Sequence, residues 1–67
     1  MSIFSTIKVI AMQKNISIYR IEHDLELPNG IIRRWNVSDP SATNLQKVAD
    51  YLGVTSTYIL NKSKEGE

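Results

Sequence analysis

The segment Glu26-Leu27-Pro28-Asn29-Gly30 constrains this chain more than any other feature. Proline disfavours helical dihedrals at the residue before it, and it fits the first turn of a helix, where its missing N–H is not needed. A helix arriving from upstream must therefore stop near Glu26 and Leu27, and a new one can open at Pro28. The flanks are helical in pattern. Upstream, Ile18, Ile21 and Leu25 recur at three- and four-residue spacing behind Ser17, a good cap. Downstream, Ile32 and Trp35 stand three apart in a segment running to about Asn36. Two short helices joined by a tight turn are predicted, and helices of about two turns exist in water only by docking on neighbours.

The rest of the chain supplies those neighbours. From Ile3 to Lys14 the residues Ile3, Phe4, Ile7, Ile10 and Ala11 lie on one stripe, with Ser2 as cap and Asn15 suited to a left-handed end. Val37 to Ala42 has loop chemistry, in Ser38, Asp39, Pro40 and Ser41. Thr43 and Gln46 then form a capping-box pattern before the stripe Leu45, Val48, Ala49 and Leu52, and Gly53 ends that helix. Thr55 caps a short last helix with Tyr58 and Ile59 turned inward, and 62–67 reads as a solvated tail behind a single domain of 1–61. No β alternation is present, so the fold class expected is all-α, with five helices.

A chain of 67 residues holds one core and buries only about 60% of the surface its unfolded form exposes. With no cysteine, packing must supply the stability that disulfides or thiolate-bound metal would otherwise add. No apolar run approaches the roughly 20 residues of a spanning helix, and no basic segment leads an apolar one at the start, so a cytoplasmic protein without membrane contact is expected. The balance of 8 basic and 7 acidic residues, net +1, decides nothing about partners. Placement says more, because Arg33 and Arg34 are adjacent while Glu22, Asp24 and Glu26 lie just upstream.

Enzyme chemistry finds little support. His23 is the only histidine and has no cysteine or second histidine with which to share a metal. No serine has a histidine and aspartate in a triad arrangement, and no glycine-rich phosphate loop is present. Glu22, Asp24 and Glu26 read as an exposed acidic face, which should point away from any polyanion or toward a basic protein partner. Trp35 reads as a core plug, because its spacing from Ile32 turns it inward. Neither cofactor, metal nor small-molecule substrate is expected.

Ser17-Ile-Tyr-Arg-Ile-Glu-His-Asp-Leu25, Leu27-Pro-Asn-Gly-Ile-Ile-Arg-Arg-Trp35, Pro40-Ser41 and Leu45-Gln-Lys-Val-Ala-Asp-Tyr-Leu-Gly-Val-Thr55 together resemble the Cro and phage-repressor helix-turn-helix family over nearly the whole chain. The resemblance implies a compact five-helix, lambda-repressor-like domain that binds a double-stranded DNA operator as a transcriptional regulator. It implies that Asn29, Gly30, Ile31, Arg33 and Arg34 read bases from the third helix, and that Ser17, Ser38 and Ser41 contact phosphates. Ile21, Leu25, Leu27, Ile32 and Trp35 then form the structural core of the motif. Arginine can donate two parallel bonds to guanine and asparagine can pair with adenine, which makes Arg34 and Asn29 the leading readers.

Three positions depart from the family pattern. Glu26 stands where glycine is usual in the turn, Pro28 where a serine or threonine usually caps the third helix, and Ile31 where a polar residue is commoner. A left-handed Glu26 would be strained. An exposed Ile31 could meet a thymine methyl or another protein, and Asp39 puts negative charge in a loop that often approaches phosphate. A homodimer on DNA is expected, with Tyr51, the stretch Val54 to Leu60 and the tail as candidate contacts. The alternative is a protein-interaction module, antirepressor or antitoxin-like, that turns the same face to a repressor or another protein.

Overall fold

Serine and threonine hydroxyls begin four of the five helices. Ser2, Ser17 and Ser41 each accept from the backbone N–H three residues on, at Ser5, Arg20 and Asn44, over 3.1, 3.0 and 3.2 Å, and Thr55 takes that of Tyr58 at 2.9 Å. Each bond satisfies one of the amides that a first turn leaves without a partner. The computed structural model describes residues 2–64. Their helices are α1 (Ile3–Gln13), α2 (Ile18–Asp24), α3 (Ile31–Arg34), α4 (Ala42–Leu52) and α5 (Ser56–Lys64), with no strand among the described residues. None is long and apolar enough to cross a membrane.

Three helices stop in the same way. Asn15 and Glu26 are left-handed at φ 58, and Gly53 at φ 77. In each case the next residue donates its N–H back across the helix end: Ile16 to the Ala11 carbonyl, Leu27 to that of Glu22 and Val54 to that of Ala49, at 2.9, 2.8 and 3.0 Å. A bond from the left-handed residue itself lies inside each, completing a Schellman closure. Ile16, Leu27 and Val54 then fold onto the core, so each stop also redirects an apolar side chain inward.

The core is built from Ile7, Ile10 and Ala11 of α1, Ile21, Ile32, Trp35, the α4 stripe Leu45, Val48, Ala49 and Leu52, and Ile59 of α5. Its Cα radius of gyration, 10.6 Å, is close to the roughly 11 Å of a compact chain this long. α1 packs most broadly on α5, so the first and last helices close the fold on each other. Thr6 is buried in that seam. Its hydroxyl lies 3.1 Å from the Ser2 carbonyl and 2.9 Å from the Ser63 hydroxyl, which itself reaches the Ile59 carbonyl at 2.7 Å. Two hydroxyl hydrogens thus serve three oxygen contacts, and no buried side-chain polar atom among the described residues lacks a partner.

Four expectations are corrected. Ser41, not Thr43, caps α4, two residues earlier than the capping-box pattern placed it; Thr43 and Gln46 lie inside the helix, where Gln46 bonds Asp50 at 2.8 Å. Tyr58 is 46% exposed, because Ile59 and Ser63, one turn apart, form the inward line of α5. The chain from Lys62 to Lys64 is helix and not tail, with Ser63 held against α1; 65–67 lie outside the described residues. α3 is shorter than the expected segment from Pro28 to Asn36. The chain winds on from Trp35 to Val37 through three-residue turn bonds that extend the coil but not the α-helix.

The left-handed Glu26 yields a prediction. A side chain there costs about 1–2 kcal/mol relative to glycine, part of which glycine returns through its freer unfolded chain. Glu26→Gly should therefore stabilise the domain by about 0.5–1 kcal/mol, read as a higher midpoint in urea at unchanged slope.

Candidate functional site

α3 has only four residues and begins at Gly30, left-handed at φ 85, with no side-chain cap of its own. Its first amides are satisfied from another helix. The Glu22 carboxylate, 3% exposed, accepts the Gly30 N–H at 3.1 Å and the Ile32 N–H at 3.0 Å. The Ile31 N–H turns back to the Pro28 carbonyl at 3.2 Å. Glu22 therefore binds the turn twice, since its own carbonyl receives the Leu27 N–H that closes α2. A carboxylate on the unpaired amides of a helix start is also favoured by the helix dipole. One residue fixes both the end of α2 and the beginning of α3.

The acidic face expected of Glu22, Asp24 and Glu26 is reduced to Asp24 and Glu26, which are exposed. Glu22 is inside, and Asp24 is engaged by Arg20 at 3.1 Å, by His23 at 3.5 Å and by the Tyr51 hydroxyl, which donates to it from α4. The Tyr51 bond, aided by Arg20 and His23, holds the Asp24 carboxyl below its ordinary 3.8. The same bond raises the Tyr51 phenol above its ordinary 10.0. Glu26 is exposed at the surface of the turn.

Around this frame, Arg33 and Arg34 are exposed, and neither pairs with an acid among the described residues. Ile32 and Trp35, 0% and 5% exposed, take the inward side, and Ile21 is buried beneath them. Leu25 and Leu27 are half-buried against the same core. Asn29 and Gly30 are exposed but precede α3, because Pro28 and Gly30 spend those positions on the turn. Ile31 is half-buried against the core, so it does not present the bare apolar surface expected of it. Ser17 and Ser41 are exposed caps, and the Ser38 hydroxyl donates to the Arg34 carbonyl at 3.0 Å, which ties the following loop to α3.

Two residues join the site that the sequence reading had not placed there. Glu22 was readable in principle: it lies four after Ile18 and three before Leu25, on the edge of the inward stripe. Lys8, from α1, borders a cleft of about 290 Å³ with Phe4, Ile18, Tyr19, Glu22, Gly30 and Arg33, the Glu22 carboxylate being held by the Gly30 and Ile32 amides. The only sequence signal of Lys8 is that it lies off the α1 stripe. Lys8 and Arg33 thus approach one opening from two helices, and no acid among the described residues is paired with either. No group of metal-binding side chains occurs among the described residues.

Two outcomes follow from the geometry. Glu22→Ala leaves two amides without an acceptor and should cost about 2–4 kcal/mol, a large share of the roughly 3–10 kcal/mol available to a domain of this size, measurable by urea unfolding. The Asp24 carboxyl, lowered in the folded state, stabilises above its unfolded value near 3.8, and the contribution is lost as pH falls through the folded value. Tyr51→Phe should raise the Asp24 midpoint in a carboxylate NMR titration; an unmoved midpoint would refute the Tyr51 bond as its main cause. In comparison with known proteins, the chain matches no family model, no curated protein and no solved structure.

Proposed function

We propose that this chain is a sequence-specific DNA-binding transcriptional regulator of the Cro and phage-repressor helix-turn-helix kind, with α2 and α3 as the motif. In this reading α2 lies across the DNA backbone and α3 enters the major groove. The observation that carries it is the pair Arg33 and Arg34, exposed and without an acidic partner among the described residues, on a short helix whose start is fixed by Glu22. Base reading demands that side chains arrive on a rigid platform, because a bidentate arginine–guanine contact has narrow geometry. Four of its inward neighbours, Ile21, Ile32, Trp35 and Leu27, hold that platform to the core.

Arg34 is the leading base reader, with Arg33 and the exposed Asn29 beside it, while Gly30 lets the backbone come close. Ile31 offers only its accessible edge. Ser17 and Ser41, whose hydroxyls accept at the helix starts and keep a hydrogen to give, serve as phosphate donors. The Ser38 hydrogen is engaged by the Arg34 carbonyl, and Lys8 adds a cation on the side of Arg33. Such contacts position a protein on DNA without reading sequence. The regulator works without enzymatic activity or cofactor, in the cytoplasm, as a dimer on two half-sites.

The rival, a protein-interaction module of antirepressor or antitoxin type, drew its support from the low net charge of +1, which stands, and from an acidic α2 and a bare Ile31. Glu22 is buried, Asp24 is neutralised by Arg20, and Ile31 is half-covered. These findings favour DNA as the partner.

A fluorescence-anisotropy titration after selection from random duplexes should yield one preferred sequence, bound with steep salt dependence. Arg34→Ala should lose about 1–3 kcal/mol and relax the preference at one base pair. Lys8→Ala should weaken all duplexes alike and reduce the salt slope by about one. Absence of any shift at low salt, with recovery of a single repressor-like protein from the source cell, would replace this proposal with the rival.

A further inference from the structure

Three helices meet at the cleft of about 290 Å³ beside Gly30. α1 contributes Phe4 and Lys8, four apart and so on one face; α2 contributes Ile18 and Tyr19; α3 contributes Arg33. The lining divides by chemistry. Phe4 and Ile18 are half-buried against the core and make an apolar floor. Tyr19, 63% exposed and in ring contact with His23, adds an aromatic side. Lys8 and Arg33 are exposed, and neither pairs with an acid among the described residues.

One carboxylate does line the cleft, that of Glu22, and it is engaged. Both of its oxygens accept from the Gly30 amide at 3.1 Å, and one also takes the Ile32 amide at 3.0 Å. With those oxygens occupied by the start of α3, two cations face one opening against a single anion. The cleft therefore combines an excess of positive charge with an apolar floor.

We infer that this cleft is a binding site for a small aromatic carboxylate. Its carboxylate lies between Lys8 and Arg33, and its ring rests on Phe4 and Ile18 beside Tyr19. Charge complementarity names the head, since an arginine fork matches the two oxygens of a carboxylate and lysine supplies a second donor. The floor names the body: a bare phosphate would leave Phe4 and Ile18 uncovered and forgo the apolar burial that a ring gains there. Volume sets the size. The cleft stands at the lower edge of the range for small-molecule sites, with room for one or two rings.

The consequence for regulation rests on the DNA-binding reading; the site itself does not. Lys8 and Arg33 are cations that the reading gives to DNA, so a carboxylate between them competes with a duplex for the same charges. Ligand then weakens DNA binding, and DNA weakens ligand binding by the same factor. The aromatic acid is thus an effector that lifts the protein from its operator.

An amide NMR titration of the chain with naphthylacetate tests the site without DNA. Saturable shifts should centre on Lys8, Tyr19, Gly30 and Arg33, with a Kd of about 1 mM or tighter for a ligand of this size. Lys8→Gln and Arg33→Gln should each weaken binding about fivefold or more, with unchanged circular-dichroism melts because both side chains are exposed. Arg34→Gln, outside the cleft, should leave it unchanged. The neutral naphthylacetamide and the ringless acetate should each bind about tenfold more weakly than the probe. No saturation by about 10 mM overturns the inference. So does an equal loss in Arg34→Gln, which means diffuse attraction to basic residues, and so does inorganic phosphate matching the probe on the same amides. At constant ionic strength, saturating naphthylacetate should weaken duplex binding about fivefold or more; an unchanged duplex affinity overturns the effector role. A chain that takes the probe but no duplex removes the DNA reading and leaves the carboxylate site standing.

Discussion

The Glu22 carboxylate is the contact on which the exposed arginines depend. Four residues cannot sustain a helix in water, where even long sequences of good helix formers are marginal. α3 persists because Ile32 and Trp35 are sunk in the core and because its first amides have an acceptor that is not their own. The acceptor comes from α2, so the angle between the two helices and the start of the second are fixed by one side chain. A helix with its own serine cap could pivot about its buried residues without losing its first bonds. This one cannot.

The same economy runs through the helix ends. Asn15, Glu26 and Gly53 meet one geometrical demand with three chemistries, and in each case the apolar residue that follows is pulled into the core. Glycine satisfies the demand without strain and asparagine with little. Glutamate does so only because the bonds around it, from Leu27 to the Glu22 carbonyl and from Gly30 and Ile32 to the Glu22 carboxylate, leave the chain no other course. Local strain at Glu26 is thus held by the same residue that organises the site.

Much of this was legible in the sequence because it is local. Ser2, Ser17 and Thr55 as caps, Asn15 and Gly53 as stops, and the break at Pro28 follow from backbone chemistry within a few residues. Arg33 and Arg34 could be placed outward because Ile32 and Trp35 had to be inward. What failed was of two kinds. Ser41 and Thr43 both offered a plausible cap, and local rules do not rank them when each has a suitable partner three residues on. Glu22, Tyr51 and Lys8 depended on which helix faces which, a relation that spacing along one helix does not contain. The missing cap at Pro28 implied that an acceptor had to come from elsewhere, but not from where.

The seam between α1 and α5 carries a consequence for how the molecule comes apart. Thr6 and Ser63 meet across 57 positions of chain, and closing a loop of that length forfeits about 3.6 kcal/mol of freedom beyond a constant. Only the apolar surface shared by the two helices can offset so large a loss. Once that surface opens, α2 and α3 retain neither a floor for Ile21 and Ile32 nor enough length to stand alone. Fraying at the ends and loss of the arginine platform are therefore a single event, and no fragment lacking either terminal helix should keep the ordered surface of the whole.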